Sequence, residues 1–515
     1  MRHTFHAILL VLLAFTSPLD AAPSAGTLNT QDLNTQAVPL FTLEAQIHTR
    51  TLDNGIIVRT LNLADKHSVS IASQFNVGSA NETQGQTGYA HLFEHMLFKG
   101  SQNVPADSYA TELNALGARF NAMTDFDHTT YYLTLPANAL ALGLYLESDR
   151  FIRPTLNATN IKNQQDTVLQ EMAQRIDNQS YMRKAMEYLL SQVKGTPYGH
   201  AVIGSKQDIE SATPETLQAF HQDYYRPDAL QLTVVGQLTS NAIAPVDNKD
   251  VTTAENGDVD VNTDVDVNAN IDVNANVDNA IERYFGPWSR PSTPVHPTPA
   301  VQIIPHASIG EVVDERGPWP GLLLAWHTVG ASHSDAAAIS LLQDYLFQNR
   351  TSLIAKAGLN DPNFMLNYSI PLKMAQHGVT NLVLVPRSRA SLNELTEQVQ
   401  QLIDDVSQNG ISEESLTALK QIWLNRQLAK LDDTEALALQ LSSTLAQDRN
   451  QPLTAPWRRI QAVTTDDIQR VCRQYFSADR LVRLDLLPPW YVRLAKTLLE
   501  WLPKSVSDGI EDSAL

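Results

Sequence analysis

Two distant stretches of this chain can be laid on each other without a gap. Residues 464–481, TTDDIQRVCRQYFSADRL, meet residues 213–230, TPETLQAFHQDYYRPDAL, at an offset of 251 (464 minus 213). Leu217 falls on Ile468, Tyr224 on Tyr475, Tyr225 on Phe476 and Asp228 on Asp479. At an offset of 249 (340 minus 91), residues 340–347, SLLQDYLF, meet residues 91–98, HLFEHMLF. The two registers agree within two residues, so the chain reads as an internal duplication, and the fold of one copy constrains that of the other. The alternative is two unrelated helices of similar composition.

The copies differ where chemistry would sit. His91, Glu94 and His95 of the first become Ser340, Gln343 and Asp344 of the second, while the apolar positions persist. The first copy's order is H-x-x-E-H, the inverse of the zinc-binding H-E-x-x-H. On a helix, His91 and His95 lie one turn apart on the same face, where two imidazoles can grip one metal ion. Glu94 projects beside them, placed to take a proton from a metal-bound water. Leu92, Phe93, Met96, Leu97 and Phe98 cover the rest of that helix. Polar groups among such neighbours need partners, and a metal is one. A catalytic zinc usually has three protein ligands and an open position. Glu171, on a helix expected over about 160–177, is the candidate third ligand. The bland reading of the motif is a chance match on a structural helix.

Composition narrows the partners. With 515 residues the chain holds several domains. Lys plus Arg is 37 against 56 Asp plus Glu, a formal charge of −19. Such acidity disfavours nucleic acid and anionic membrane surfaces. The single cysteine, Cys472, excludes an intrachain disulfide and a cysteine-based zinc site. Residues 1–22 read as a signal peptide: Arg2, the short apolar run 7–15, then small residues up to Ala21 and Ala22. An uncleaved N-terminal anchor is the alternative. No later stretch looks transmembrane, and the mature chain is expected to be exported, most simply to a bacterial periplasm.

In order along the chain, residues 23–45 read as a flexible lead-in and 46–288 as the metal-bearing domain. A hairpin is expected at Asn54-Gly55, strands at 69–77, 119–135 and 230–235, and helices at 108–116, 137–150 and 213–225. Within that domain, 246–279 is an Asp/Asn/Val hexad insert, read as flexible and acidic, with calcium binding as the alternative. Residues 289–299 hold four prolines and read as a linker, 300–488 as the degenerate copy, and 489–515 as a C-terminal extension.

On these residues the chain resembles the pitrilysin/insulinase family, which includes the mitochondrial processing peptidases. There, H-x-x-E-H is followed seventy-odd residues on by Glu in a V-x-x-E context, here Val168 to Glu171. Residues 113–136, 196–204 (TPYGHAVIG) and 232–236 (LTVVG) are similar in kind and order. The resemblance spans roughly 48–488. It implies an α+β fold of two homologous domains, each a largely antiparallel sheet with helices on one face. It implies zinc, one per chain, on His91, His95 and Glu171, with Glu94 as general base. It places Asn121 and Ala122 on a substrate-facing edge strand that would pair with an extended peptide. One departure is Gln164, seven residues before Glu171, where the family often has Glu near the metal. An amide there can orient a ligand or water but adds no charge.

The activity so implied is zinc metalloendopeptidase action on peptides or unfolded segments. The alternatives are a non-catalytic binding or assembly subunit of the same family, or a metal site on a different hydrolase. Two repeats resemble half of the peptide chamber of larger relatives. The expected assembly is therefore a homodimer, or a heterodimer with a sibling lacking the motif.

Overall fold

The computed structural model describes residues 30–238 and 273–492, apart from 107, 294–297, 302, 304, 318, 349, 360–363, 370, 387–390 and 448–450. Its first sheet joins β1 (His48–Thr51), β2 (Ile57–Asn62), β3 (Ser68–Phe75), β4 (Arg119–Thr124), β5 (Thr129–Pro136) and β6 (Leu230–Gly236) in the order β1-β2-β6-β3-β5-β4. The second holds β7 (Ser308–Val313), β8 (Gly321–Val329), β9 (Phe364–Tyr368), β10 (Leu372–Lys373), β11 (His377–Pro386) and β12 (Leu481–Leu487). Its order is β10-β11-β8-β12-β7, with β9 also paired to β11. The middle of each sheet is the same path, β2-β6-β3-β5 in one and β7-β12-β8-β11 in the other. The β2–β6 and β7–β12 pairs are parallel and the remaining pairings antiparallel. Strand β12 begins 251 residues after β6, as β7 does after β2. Thr213 and Thr464, at the same offset, each cap a helix through a reciprocal capping box. The expected duplication is thus carried by topology as well as by sequence.

Each sheet has its own helical layer. On one face of the first, Val69, Ile71 and Phe75 of β3 pack with Leu92, Phe93 and Met96 of the helix Tyr89–Met96. In the second copy, Leu322, Leu324 and Trp326 of β8 pack with Leu341, Leu342 and Leu346 of Ala336–Leu346. The central strands are buried on both sides, however, and a copy's own layer covers only one. The opposite faces are covered by exchange. Helix Thr434–Gln447, from the second copy, puts Leu437, Ala438 and Leu441 on Leu61, Ala72 and Val235 of the first sheet. Helix Met182–Ser191, from the first copy, puts Ala185, with Tyr181 just before it, on Leu323, Ala325, Val482 and Leu484 of the second. The exchanged helices begin 252 residues apart (434 minus 182). Polar contacts fix them: Thr434 Oγ1 lies 2.8 Å from Ser70 Oγ, and Tyr181 OH donates to the Trp319 carbonyl at 2.9 Å.

Two expectations are corrected. Within the lead-in, residues 30–44 form helices Thr30–Gln36 and Val38–Glu44, and bury Leu33, Ala37 and Leu40 in the second core. Those three apolar positions, at i, i+4 and i+7, make one stripe that the polar composition hid. The end of the hexad segment is also ordered: helix Val273–Phe285 starts inside it, with Val277 buried in the first core beside Ala280, Ile281 and Phe285. A valine spaced four residues from Ile281 is enough to recruit that turn. The signal segment 1–22, residues 246–272 of the insert and 493–515 of the extension lie outside the described residues. The linker's near end is tied to the first copy: Arg226 donates to the Thr293 carbonyl and Arg290 to Asp228.

Since each sheet depends on a helix from the other copy, both should unfold together. Leu441→Ala, at a fully buried position, should cost about 2–5 kcal/mol. Scanning calorimetry should show one transition, shifted down as a whole. Two resolved transitions, only one of them shifted, would show that the copies unfold independently.

Candidate metal centre

The helix Tyr89–Met96 is fixed at its start by backbone chemistry. Gly88 precedes it in the left-handed region (φ 89°), and a Cβ there would strike the Ile203 carbonyl and Gly204. The tight backbone approach explains glycine at both 88 and 204. Glu82 accepts from the Gly88 N–H at 2.7 Å and the Ala90 N–H at 2.8 Å, meeting free donors of the helix N-terminus. Burial pushes the Glu82 carboxyl well above its usual range despite these donors. The far side of the helix is locked by Phe93, whose ring centroid lies 4.4 Å from that of Tyr225 and 5.6 Å from that of His221.

Glu171 comes from the last turn of helix Ala158–Met172, which is capped by Asn157 and tied by Asn160 Nδ2 to the Lys99 carbonyl at 3.0 Å. That bond sets one helix against the other. Donor atoms of His91, His95 and Glu171 all lie within 4.8 Å of one another. Nε2 of His91 is 3.8 Å from Glu171 Oε1, and Nε2 of His95 is 3.4 Å from Glu171 Oε2. Burial, with His95 adding to it, pushes the His91 pKa down to about 4, so the ring is neutral at ordinary pH and keeps a lone pair for a metal. Burial alone would raise Glu171, but the hydrogen bond with His95 and the charge of Arg175 hold it below its usual value. Arg175 reaches Glu171 Oε1 at 2.5 Å from the wide π turn Ala173–Asp177 that follows the helix.

Fit to a metal can be judged from these groups. Nε2 of both imidazoles faces the Glu171 carboxylate, and two imidazoles and one carboxylate form a donor set that zinc accepts. Gln164 is buried two turns back along the Glu171 helix. Glu94 lies on the same helix as the histidines, and Thr124 Oγ1 donates to its Oε2 at 2.5 Å. Burial raises the Glu94 pKa, and the Thr124 bond opposes the rise. Thr124 ends β4, an outer strand of its sheet. On β4, Ala122 packs against the first core, while Asn121 is exposed and accepts the Ala122 N–H on its Oδ1 at 2.9 Å.

The structure therefore brings His91, Glu94, His95 and Glu171 together and sets Asn121 and Ala122 on the adjoining edge. Sequence reading missed Glu82, Thr124 and Arg175. Of these, only Arg175 carried a signal, being one helical turn from Glu171.

In the second copy, Asp344 stands at the position of His95 and pairs with Arg426 at 2.8 Å. Arg426 lies 251 residues after Arg175, and Ile422 holds the place of Glu171. The carboxylate has in effect changed helices, and an ion pair replaces the metal donors.

Residues 57–206 match the family model described as Insulinase (Peptidase family M16), and residues 269–422 match that of the Peptidase M16 inactive domain. The chain belongs to the M16, or insulinase, peptidase family. It is 23% identical over 476 residues to zinc protease PqqE of Helicobacter pylori, covering 88% of this chain and 98% of that one. It is 32% identical over 193 residues to an uncharacterized zinc protease of Mycobacterium bovis, covering 38% of this chain and 44% of the relative. A probable mitochondrial-processing peptidase subunit beta of Schizosaccharomyces pombe is 26% identical over 201 residues, covering 39% of this chain and 44% of that one. Among solved structures, a protease from Helicobacter pylori superposes with a TM-score of 0.74 at 19% identity, covering 86% of this chain and 99% of its own. The periplasmic protease PqqL from Escherichia coli gives 0.64 at 18% identity, covering 87% of this M16 chain and 48% of that one. At such identities the structural likeness speaks to the fold. No helix among the described residues is long and apolar enough to cross a membrane.

Glu171→Gln should keep the fold and weaken zinc binding by at least about tenfold, because a ligand loses its charge. Chelator competition measures it. Unchanged affinity would move the third ligand elsewhere, with Glu112 and Asp166 next to be replaced.

Proposed function

We propose that this M16 chain is a zinc-dependent endopeptidase, exported to a bacterial periplasm, that hydrolyses peptide bonds in peptides or unfolded segments. The observation that carries the reading is the convergence of His91, His95 and Glu171, with Glu94 held beside them by Thr124 at the end of an outer strand. His91, His95 and Glu171 would hold one zinc per chain, which when bound supplies a Lewis acid to polarise a carbonyl and acidify water. Glu94 takes the proton of the attacking water and returns it to the leaving amine. Its raised pKa suits both transfers, and Thr124 fixes the direction in which its carboxylate points. A peptide laid along β4 would replace Asn121 Oδ1 as the partner of the Ala122 N–H, so binding depends on main chain more than on sequence. Gln164, buried on the Glu171 helix, adds no charge. Export is supported by the leader-like residues 1–22 and by the periplasmic location printed for PqqL.

Glu94→Gln should bind zinc like the parent chain and lose peptide hydrolysis by about a hundredfold or more. Zinc analysis beside a peptide digest checks both halves. The second reading, a non-catalytic binding subunit, is favoured by the match of the second copy to an inactive domain. It predicts no hydrolysis by the parent chain even when loaded with zinc.

The working unit is proposed to be a dimer, either of this chain or with a sibling lacking the motif. Among the described residues one chain supplies two repeats and one set of metal donors, and a second chain would give the site an opposing wall to hold a peptide. Sedimentation across a concentration series, alone and in native extract, should show a particle of twice the mass. Full activity from a strict monomer in both settings would remove the proposal.

A further inference from the structure

The two copies meet at the tips of equivalent hairpins. On the strand path of the first sheet the outer pair is β5-β4, and in the second sheet β11-β10 stands in the same place. The turn between β4 and β5 carries Asp127, whose Oδ2 accepts from the Ala375 N–H, in the turn between β10 and β11, at 2.7 Å. Tyr198 closes the junction: its hydroxyl donates to Asp127 Oδ1 at 2.8 Å and accepts from the Gln376 N–H at 3.3 Å. Both oxygens of the carboxylate are thus engaged, one of them directly on the other copy. Bonds to an ionised oxygen are the stronger class. Apolar packing lies under them. Phe126 and Tyr198 share a core with Met374 of the second copy, and their two rings meet edge to face at 5.8 Å.

What this junction holds is the end of the strand that serves the site. Strand β4 pairs with β5 alone, and none of its six residues is buried. Its placement therefore leans on its ends more than that of the central strands does. Thr124 is its last residue, stands three before Asp127, and gives Glu94 Oε2 its hydrogen bond. The first copy grips the turn from one side: the Ser79 N–H donates to the Asp125 carbonyl at 3.2 Å and the Ala80 N–H to the Phe126 carbonyl at 2.8 Å. Those bonds stop at Phe126. The next residue, Asp127, is held by Tyr198 and by the second copy's hairpin, so the turn is pinched between the copies. A misplacement of about 1 Å at a reacting group can cost about a hundredfold in rate. Thr124 is close enough to this pinch to feel its loss.

We propose that Asp127 and Tyr198 are positioning residues for hydrolysis. They fix the end of β4 against the β10–β11 hairpin, and through Thr124 they fix the direction of the Glu94 carboxylate. The inference rests on the peptidase reading above and deepens it by giving the degenerate copy a part in the chemistry: its hairpin is the stop against which the general base is aimed.

The test is a double-mutant cycle on the full chain, with kcat counted per zinc-bound chain on one fluorogenic peptide. Asp127→Ala should lower kcat about tenfold while KM and zinc affinity stay close to those of the parent. Asp127→Asn, which keeps an acceptor for the Ala375 N–H, should recover most of the loss. Tyr198→Phe removes the hydroxyl and no bulk, and should lose about threefold. Thr124→Val should itself lower kcat, and in that background Asp127→Ala should cost no more than about a further twofold, because both changes act through one bond. If Asp127→Ala does not fold, Tyr198→Phe completes the same cycle. A second readout needs no activity: amide hydrogen exchange of residues 119–124 should quicken in Asp127→Ala, while that of residues 158–172 should not. Quickened exchange in a chain whose parent, zinc-loaded, hydrolyses nothing would overturn the peptidase reading and leave the hold on β4 standing. A kcat unchanged by Asp127→Ala and Tyr198→Phe would overturn the proposal, as would a loss of the same factor with and without Thr124.

Discussion

The interaction on which this molecule depends is the exchange of one helix between its copies. Strands β3 and β8 are buried along nearly their whole length on both faces, so each sheet needs two apolar covers. A copy's own helices supply only one. The second comes from Thr434–Gln447 on one side and Met182–Ser191 on the other, at equivalent places in the duplicated sequence. Neither sheet is complete by itself, and duplication is what made the completion possible. The same exchange sets the relative position of the copies, and through the Asp127–Ala375 contact it brings the end of β4 up to the segment after β10.

The candidate metal donors sit beside an edge that this scaffold leaves open. The central strands are closed by pairing and by two layers of helices, whereas β4 is bonded only to β5. The metal donors are drawn from two helices on the side of the sheet that carries Thr124. One side chain therefore links a strand that can receive a peptide with the carboxylate that would act on it. The donors are rigid because the bonds behind them are local. Glu82 closes the start of one helix, and Asn160 ties the other to the residue after Phe98.

Much of this was legible in the residues. His91, Glu94 and His95 share a helix, and i to i+4 spacing is a statement about one face that needs no tertiary knowledge. Glu171 could be named because its helix was also legible, and the resemblance fixed the edge strand of Asn121. The duplication was readable from matched positions such as Asp228 and Asp479, whose copies open strands at the same offset. Illegible features were those in which local sequence is silent about the partner. The helix at 182–191 is amphipathic on its own account, but nothing in its spacing says that the sheet it covers belongs to the other copy. Glu82 looks like any loop carboxylate until the fold delivers two N–H groups to it. The lead-in hid Leu33, Ala37 and Leu40 among Thr, Asn and Gln, and average polarity outweighed a three-residue stripe.

The second copy holds other groups where the first has its candidate metal donors. Removing histidines from a half-buried pocket leaves polar space that must be satisfied or filled. Here Ile422 fills the place of Glu171 with apolar bulk, and Gln343 puts at the place of Glu94 an amide that reaches Ser369 Oγ at 3.2 Å. Asp344 meets an arginine that the first copy uses to hold Glu171 ionised. The arginine is the common part: Arg175 and Arg426 occupy equivalent positions and each pairs with a carboxylate, though that carboxylate arrives from a different helix in each copy.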